Sequence, residues 1–268
     1  MEKIDGAAIA ERIKDEVAKK IHNLKEPRPN LAIILLGDRP DSRLYVSLKE
    51  REGKKVGIDT HLYKIEAGIE ESEVIKIIDF LNRDETIDGI LVQLPLPSGY
   101  NTDKVIAAID PLKDVDGFHP AHPGHIVSPV LASVSACLEE IKFSAQGKSA
   151  CVLYNSEIFG KSLKELLVAQ GLKIVPRERS AEADLLISAL GEPGVVRGKD
   201  IKSGVVIIDI GISLRDGRVC GDLNWSEAED KADWATPVPG GIGPLTIAFL
   251  FKNVWEIFYR RRNKKNER

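Results

Sequence analysis

The chain has 268 residues, 43% of them hydrophobic and 29% charged, which is apolar material for one large or two ordinary domains and too much for global disorder. Its 38 basic and 41 acidic residues leave a formal charge of −3, so binding to nucleic acid or a membrane surface through bulk charge is excluded. The three cysteines, Cys137, Cys151 and Cys220, are odd in number and lack CxxC spacing; neither a disulfide framework nor a zinc site is expected, and a reducing, cytoplasmic setting fits.

The opening stretch, MEKIDGAAIAERIKDEVAKK, carries charges every few residues where a signal peptide needs an unbroken apolar core. Within it Ile9, Ile13, Val17 and Ile21 recur every fourth position after Asp5, a good capping type, and predict an amphipathic helix. LAIILLG (31–37) predicts a buried strand, GDRPDS a polar turn, 42–56 a helix, and the alternating THLYKI a second strand. A helix over 72–81 and a third strand in DGILVQLPLP, stopped by its prolines, complete an alternating series that belongs to a parallel α/β layer. The longest apolar runs, 31–36 and 205–208, are far below membrane-spanning length.

The second half repeats the theme. SACVLYN (149–155), KIVP (173–176), ADLLISALG (183–191) and VVIIDIG (205–211) are apolar runs ending in small or polar residues, the pattern of parallel strands buried on both faces. A helix is expected over 161–170, whereas the stretch between Val175 and Asp184 is too short for another crossover helix. Breakers crowd into HPAHPGHIVSP (119–129) and divide the chain into two α/β domains. The expected limits are 1–122 plus 240–268 for the first domain and 123–239 for the second, with a last helix over 245–259 packing back on the first. The basic tail RRRNKKNER reads as a solvated end rather than a nucleic-acid arm.

Tyr45 and Lys49, four apart in a predicted helix, share one face, and the start of that helix faces the carboxyl edge of the sheet, where α/β proteins bind ligands. The plainer alternative is a surface pair with the lysine stem lying across the ring. Gln93, at the end of the third strand, reaches the same edge or else caps the following turn. Asp116, beside Gly117 in KDVDGFHP, either closes an Asx turn or accepts two parallel hydrogen bonds from an amino-pyrimidine edge. In TPVPGGIGP (236–244), three prolines and three glycines fix one tight path with backbone amides bared beside the last helix. His119, His122 and His125 are evenly spaced, but prolines and a glycine between them deny a shared helical face, and no metal site is expected.

YVSLK behind GDRPDS, then DGILVQLPLP, KDVDGFHP and TPVPGGIGP, in that order over nearly the whole chain, resemble the bifunctional methylenetetrahydrofolate dehydrogenase and methenyltetrahydrofolate cyclohydrolase family. The resemblance implies two α/β domains, a folate site in the first, a Rossmann-type NADP site in the second, tetrahydrofolate derivatives as substrates, and a homodimer. Carried over residue by residue, it implies that Tyr45 stacks on the folate, Lys49 is the catalytic lysine, Gln93 holds that lysine and Asp116 anchors the pterin. It further implies that Pro239, Gly240 and Gly241 line the folate site, and that Asn155, Ser156, Gly160 and Ile212 meet the nucleotide. The substrate's chemistry suits these types: methenyltetrahydrofolate carries a cationic amidinium, and a lysine beside that cation is discouraged from holding its own charge and can move a proton.

The nucleotide half departs from the family pattern. Gly-Arg-Ser is replaced by Tyr154, Asn155 and Ser156, a shortened IVPRERSAEAD follows, and the family's Cys-Thr-Pro appears as Val130, Leu131 and Ala132. A glycine lets backbone approach phosphate and an arginine answers the extra phosphate of NADP. Three readings stay open: both activities, with NADP or NAD; a cyclohydrolase alone that needs no nucleotide and keeps its Rossmann domain as a dimerisation scaffold; and a folate-binding protein without turnover, against which Lys49 and Gln93 argue. Arg177 or Arg179 is the candidate replacement for the missing phosphate contact.

Overall fold

The structure, a computed structural model, describes residues 1–24, 27–124, 126–215 and 217–266. Strand β1 (Glu2–Lys3) leads into helix α1 (Gly6–His22). Asp5 closes the first turn of α1 by accepting from the Ala8 amide at 3.0 Å, and Ile9, Val17 and Ile21 are buried along it while Ile13 is half-buried. There follow β2 (Asn30–Leu36), α2 (Pro40–Val56), β3 (Asp59–Ile65), α3 (Glu71–Arg83) and β4 (Gly89–Val92), in the order the hydrophobic periods predict. Helix α4 (Thr102–Ala107) is capped by Asn101, which accepts from the Lys104 amide at 3.0 Å, and α5 (Pro129–Glu140) follows. Next come β5 (Ser149–Tyr154), α6 (Glu157–Ala169) and β6 (Lys173–Val175). A 3-10 turn over Arg177–Glu182, in place of a full crossover helix, leads to β7 (Leu185–Ala189) and β8 (Val205–Asp209). A hairpin of β9 (Ser213–Arg215) and β10 (Arg218–Cys220), then α7 (Trp225–Ala228), β11 (Ala232–Ala235) and α8 (Ile242–Asn266), complete the chain. No helix among the described residues is long and apolar enough to cross a membrane.

The chain forms two compact units, Glu11–Pro129 with Ile247–Arg268 and Met1–Ala10 with Val130–Thr246. Against the expected limits, residues 1–10 and 240–246 belong to the second unit and 123–129 to the first. For residues 1–10 and 240–246 the cause is pairing that a two-residue strand does not announce in its own sequence. Glu2 and Lys3 pair in parallel with Trp234 and Ala235, and the Ala7 amide donates to the Gly240 carbonyl at 2.9 Å.

The first unit is built on a three-stranded parallel sheet in the order β3-β2-β4. Side chains of central β2 alternate between two cores. Leu31, Ile33 and Leu35 pack with Val17, Ile21, Val46 and, from α8, Phe251, Val254 and Phe258, whereas Ala32, Ile34 and Leu36 pack with Val74, Ile78, Leu81 and Val105. Both faces are covered, which is why β2 reads as an unbroken apolar run rather than an alternating one. The terminal helix packs back on this unit, as its sequence position gave reason to expect.

The second unit is a six-stranded, fully parallel sheet in the order β1-β11-β8-β7-β5-β6. Taking β5 as the first strand of this Rossmann-type series, the chain runs outward to β6 and then returns past β5 to β7. That reversal creates a topological switch point at the carboxyl ends of β5 and β7, the place where doubly wound sheets bind ligands.

Phe251 is fully buried in the first unit's α8-side core. Replacing it with alanine leaves a cavity and is expected to cost about 3–5 kcal/mol, read as a lower urea midpoint for that unit; an unchanged midpoint would remove Phe251 from the residues that hold α8 in place.

Candidate active site

Helix α2 starts with proline in its first turn and ends at Gly57, whose φ of 93° only glycine adopts readily. Tyr45 and Lys49 lie one turn apart on it, both half-buried. Gln93 follows β4 directly and its amide nitrogen in the backbone donates to the Ile34 carbonyl at 2.9 Å. Its side-chain Nε2 donates to the Leu94 carbonyl at 2.7 Å, which turns Oε1 toward Lys49, and Lys49 Nζ donates to that oxygen at 2.7 Å. The two residues, 44 apart in sequence, are thus joined by a bond whose direction the second amide contact fixes. An amide accepts from the ammonium without the full negative charge that would lock the proton on.

Burial pushes the Lys49 pKa below the usual lysine range, and the negative charge of Asp116 partly opposes the shift. Burial pushes Asp116 up to about 6, with Lys49 opposing and Asp114 reinforcing. Both groups are therefore held closer to their neutral forms than in water, each restrained by the other. Burial also raises the Tyr45 phenol, with a smaller push from Asp41, so its ring stays uncharged beside the lysine.

Asp116 leaves its alternatives resolved by a neighbour. Buried Asp114 closes the turn instead: its carboxylate accepts from the Asp116 amide at 3.0 Å and the His119 amide at 2.8 Å. The Asp116 carboxylate makes no hydrogen bond among the described residues and stands available to a ligand. Gly117 has φ of 68°, and a Cβ there would press on the Ser128 amide at 3.1 Å. From α8, Asn253 Nδ2 donates to the carbonyls of Val115 and Val127, each at 2.9 Å, and clamps both flanks of the loop. Sequence reasoning missed Asp114 and Asn253; the signal for the latter is one buried amide within the otherwise apolar face of FLFKNVWEIF.

The two described histidines of this stretch bond to nearby backbone. His119 Nδ1 accepts from the Ala121 amide at 2.9 Å, so Nε2 is the protonated nitrogen facing the Ala107 carbonyl at 3.2 Å. His122 Nδ1 lies 3.1 Å from the Pro123 carbonyl, and His125 lies outside the described residues. Among the described residues no group of three metal-ligating side chains occurs.

In the second unit, Asn155 Nδ2 donates to the Leu190 carbonyl at 2.8 Å, a bridge across the switch point from β5 to β7. The Ser156 carbonyl accepts from the Gly160 amide at 2.9 Å, and the Ser156 side chain caps nothing. Gly160 has no Cβ because the Tyr154 ring occupies that place; a Cβ would meet ring carbons at 2.5 Å. Ile212 follows β8 with 36% of its surface exposed. The loops beyond β7 and β8 are held by two buried carboxylates that sequence reasoning missed. Asp222 accepts from Ser188 Oγ at 2.6 Å and from the Leu190 and Glu192 amides at 2.7 and 2.8 Å. Asp209 accepts from the amides of Gly211, Asp222 and Leu223, and burial pushes it up to about 7. Pro239, Gly240 and Gly241 belong to this unit, whereas Lys49 belongs to the other. Gly240 has φ of 108°, and a Cβ on Gly241 would lie 2.6 Å from the Pro237 carbonyl oxygen.

Fold and site together define a two-unit α/β protein of the dehydrogenase type, with a Rossmann-type sheet in one unit and an amide-held, desolvated lysine in the other. Residues 4–116 match the model of the catalytic domain of tetrahydrofolate dehydrogenase/cyclohydrolase, and residues 129–262 match that of its NAD(P)-binding domain. The chain belongs to the tetrahydrofolate dehydrogenase/cyclohydrolase family, whose members are enzymes of folate one-carbon metabolism. It is 39% identical to the bifunctional protein FolD of Streptococcus uberis over 277 aligned positions, covering 96% of this chain and 98% of that protein. The crystal structure of the bifunctional FolD methylenetetrahydrofolate dehydrogenase/cyclohydrolase from Campylobacter jejuni superposes with a TM-score of 0.91 at 33% identity, covering 97% and 99% of the two chains. The Trypanosoma brucei dehydrogenase-cyclohydrolase, solved with NADP cofactor and an inhibitor, superposes at 0.90 with 29% identity over 96% and 97%.

The coupling between Lys49 and Asp116 predicts an ordered pair of titrations. In the wild type the Asp116 carboxyl signal, followed by carbon NMR, is expected to titrate near pH 6; in Lys49→Met the lost cation no longer favours the carboxylate, and the midpoint moves higher. An Asp116 midpoint near the ordinary value of about 4, or one indifferent to Lys49, would contradict the desolvated pair.

Proposed function

We propose that the first unit hydrolyses 5,10-methenyltetrahydrofolate to 10-formyltetrahydrofolate and that, with NADP on the second unit, the protein oxidises 5,10-methylenetetrahydrofolate. The observation that carries the reading is the 2.7 Å bond from Lys49 Nζ to Gln93 Oε1, on an amine whose pKa burial has lowered. Water adds to the amidinium carbon, and Lys49 takes the proton that the new hydroxyl sheds. The carbon–N5 bond then breaks as the formyl carbonyl forms, N5 receives a proton from Lys49, and one proton is released overall. A lysine with an ordinary pKa would hold its proton too tightly for this shuttle. Gln93 keeps the amine aimed, Asp116 offers two acceptor oxygens to the amino-pyrimidine edge, and the Tyr45 ring supplies a stacking face.

Nucleotide binding on the second unit is supported by a switch point at the carboxyl ends of β5 and β7, by the start of α6 directly after β5, and by the cations Lys164 and Arg177 beside the ends of β5 and β6. When bound, the nucleotide takes up the hydride that the methylene carbon gives away. The protein is proposed to act in the cytoplasm, where its free cysteines stay reduced, and as a homodimer.

A second reading, cyclohydrolase activity alone, draws on Tyr154 and Asn155. The Tyr154 ring fills the space against Gly160 where a first glycine would leave bare backbone for a phosphate. One purified sample assayed for methenyltetrahydrofolate hydrolysis and for NADP- and NAD-dependent oxidation of methylenetetrahydrofolate separates the two. Hydrolysis without oxidation selects the second reading, and neither activity leaves a folate-binding protein. Lys49→Met is expected to lower hydrolysis by about 10²–10⁴-fold with folate binding retained, measured by stopped-flow loss of methenyl absorbance and by calorimetry. The wild-type rate is expected to rise with pH through a midpoint below the usual lysine value, since the neutral amine is the active form. Near-normal turnover in the variant would take the proton shuttle away from Lys49.

A further inference from the structure

A cleft of about 560 Å³ opens at the carboxyl ends of β5 and β6, lined among others by Tyr154, Glu157, Lys164, Val175 and Arg177. Its polar groups are two cations, one carboxylate and a phenol. Lys164 Nζ donates to the Tyr154 hydroxyl at 2.7 Å and lies 4.4 Å from the centre of its ring. Tyr154, the residue standing where the resemblance has a glycine, is therefore what holds the ammonium at the strand end, an arrangement that a glycine there would not provide. The Glu157 carboxylate, 3.4 Å from the same hydroxyl, is the one anionic group of the cleft.

Arg177 follows β6 across Pro176 and begins the 3-10 turn. It is exposed and has no carboxylate partner among the described residues. Arg179, the other candidate from the sequence, is held by the Glu182 carboxylate within its own turn and does not line the cleft; nor does Glu178. In doubly wound sheets the residue just past the second strand decides how the adenosine ribose is read: a carboxylate there accepts from the 2′-hydroxyl, whereas an arginine pairs with a 2′-phosphate. Counting β5 as the first strand of the series, Arg177 takes that position, and Lys164 brings a second positive charge to the same cleft. Two cations, one of them aimed by a tyrosine, suit a doubly charged phosphate monoester better than a neutral diol.

Resting on the reading that the second unit binds a dinucleotide, we propose that Arg177 and Lys164, the latter aimed by Tyr154, form the subsite for the 2′-phosphate of NADP and make this chain select NADP over NAD. The cationic contact that Gly-Arg-Ser would supply has moved from the strand end to the next strand and the following helix.

Calorimetric titration of the full chain with NADP, NAD, 2′-AMP and adenosine tests this without relying on turnover. The wild type is expected to bind NADP at least tenfold more tightly than NAD, and 2′-AMP more tightly than adenosine. Arg177→Gln and Lys164→Gln each lose at least tenfold for NADP and 2′-AMP while NAD changes less than twofold, and Lys164→Arg restores most of the loss. Arg177 is exposed, so its variant keeps the fold even if a Lys164 variant does not. Unchanged NADP affinity in Arg177→Gln, or equal losses for NADP and NAD, overturns the subsite. A wild type that binds NAD as tightly as NADP overturns the subsite and leaves the dehydrogenase reading standing, whereas a wild type that binds neither overturns both.

Discussion

A buried amine held by an uncharged acceptor is the constraint around which the first unit is arranged. Taking an ammonium out of water favours its neutral form, and a carboxylate partner in contact would reverse that preference. Gln93 resolves the conflict because its own NH₂ is occupied by the Leu94 carbonyl, leaving only its oxygen for Lys49. Asp116 supplies negative charge near the amine without a direct hydrogen bond, and this weaker influence restrains the shift rather than cancelling it. The surrounding architecture serves that balance: β2 brings the end of β4 beside α2, and α8 fixes the Asp116 loop through Asn253.

The second unit solves a different problem with the same material. Loops beyond parallel strands expose backbone amides that must find acceptors. Asp209 and Asp222 collect six donors between them, and two glycines, Gly211 and Gly221, stay bare so that these carboxylates fit. The loop that carries Ile212 is therefore set by buried charge rather than by its own side chains. Tyr154 shows the complementary device on the far side of the switch point. A bulky ring displaces open backbone, and its hydroxyl directs a lysine.

Much of this was legible from the chain alone where periodicity is long. The runs 31–37, 149–155 and 205–211 became central parallel strands, and the spacing of Tyr45 and Lys49 put them one turn apart on α2. Short elements left no such trace: β1 has two residues and β9 and β10 three each, too few for a period to register. The expected placement of residues 1–10 differed from the compact units for that reason, since β1 joins a sheet whose neighbour, β11, lies more than two hundred residues away.

By itself the sequence determined the fold class, the family and the residue types around Lys49, because burial patterns and ordered motifs are local properties of a chain. Only the tertiary structure decided that Gln93 faces Lys49 with its oxygen, that Asp114 rather than Asp116 closes the turn, and that Arg177 is open while Arg179 is paired. Each of those outcomes is set by which distant groups compete for the same hydrogen bonds and how much water folding removes around them. No stretch of sequence carries that information before its neighbours in space are known.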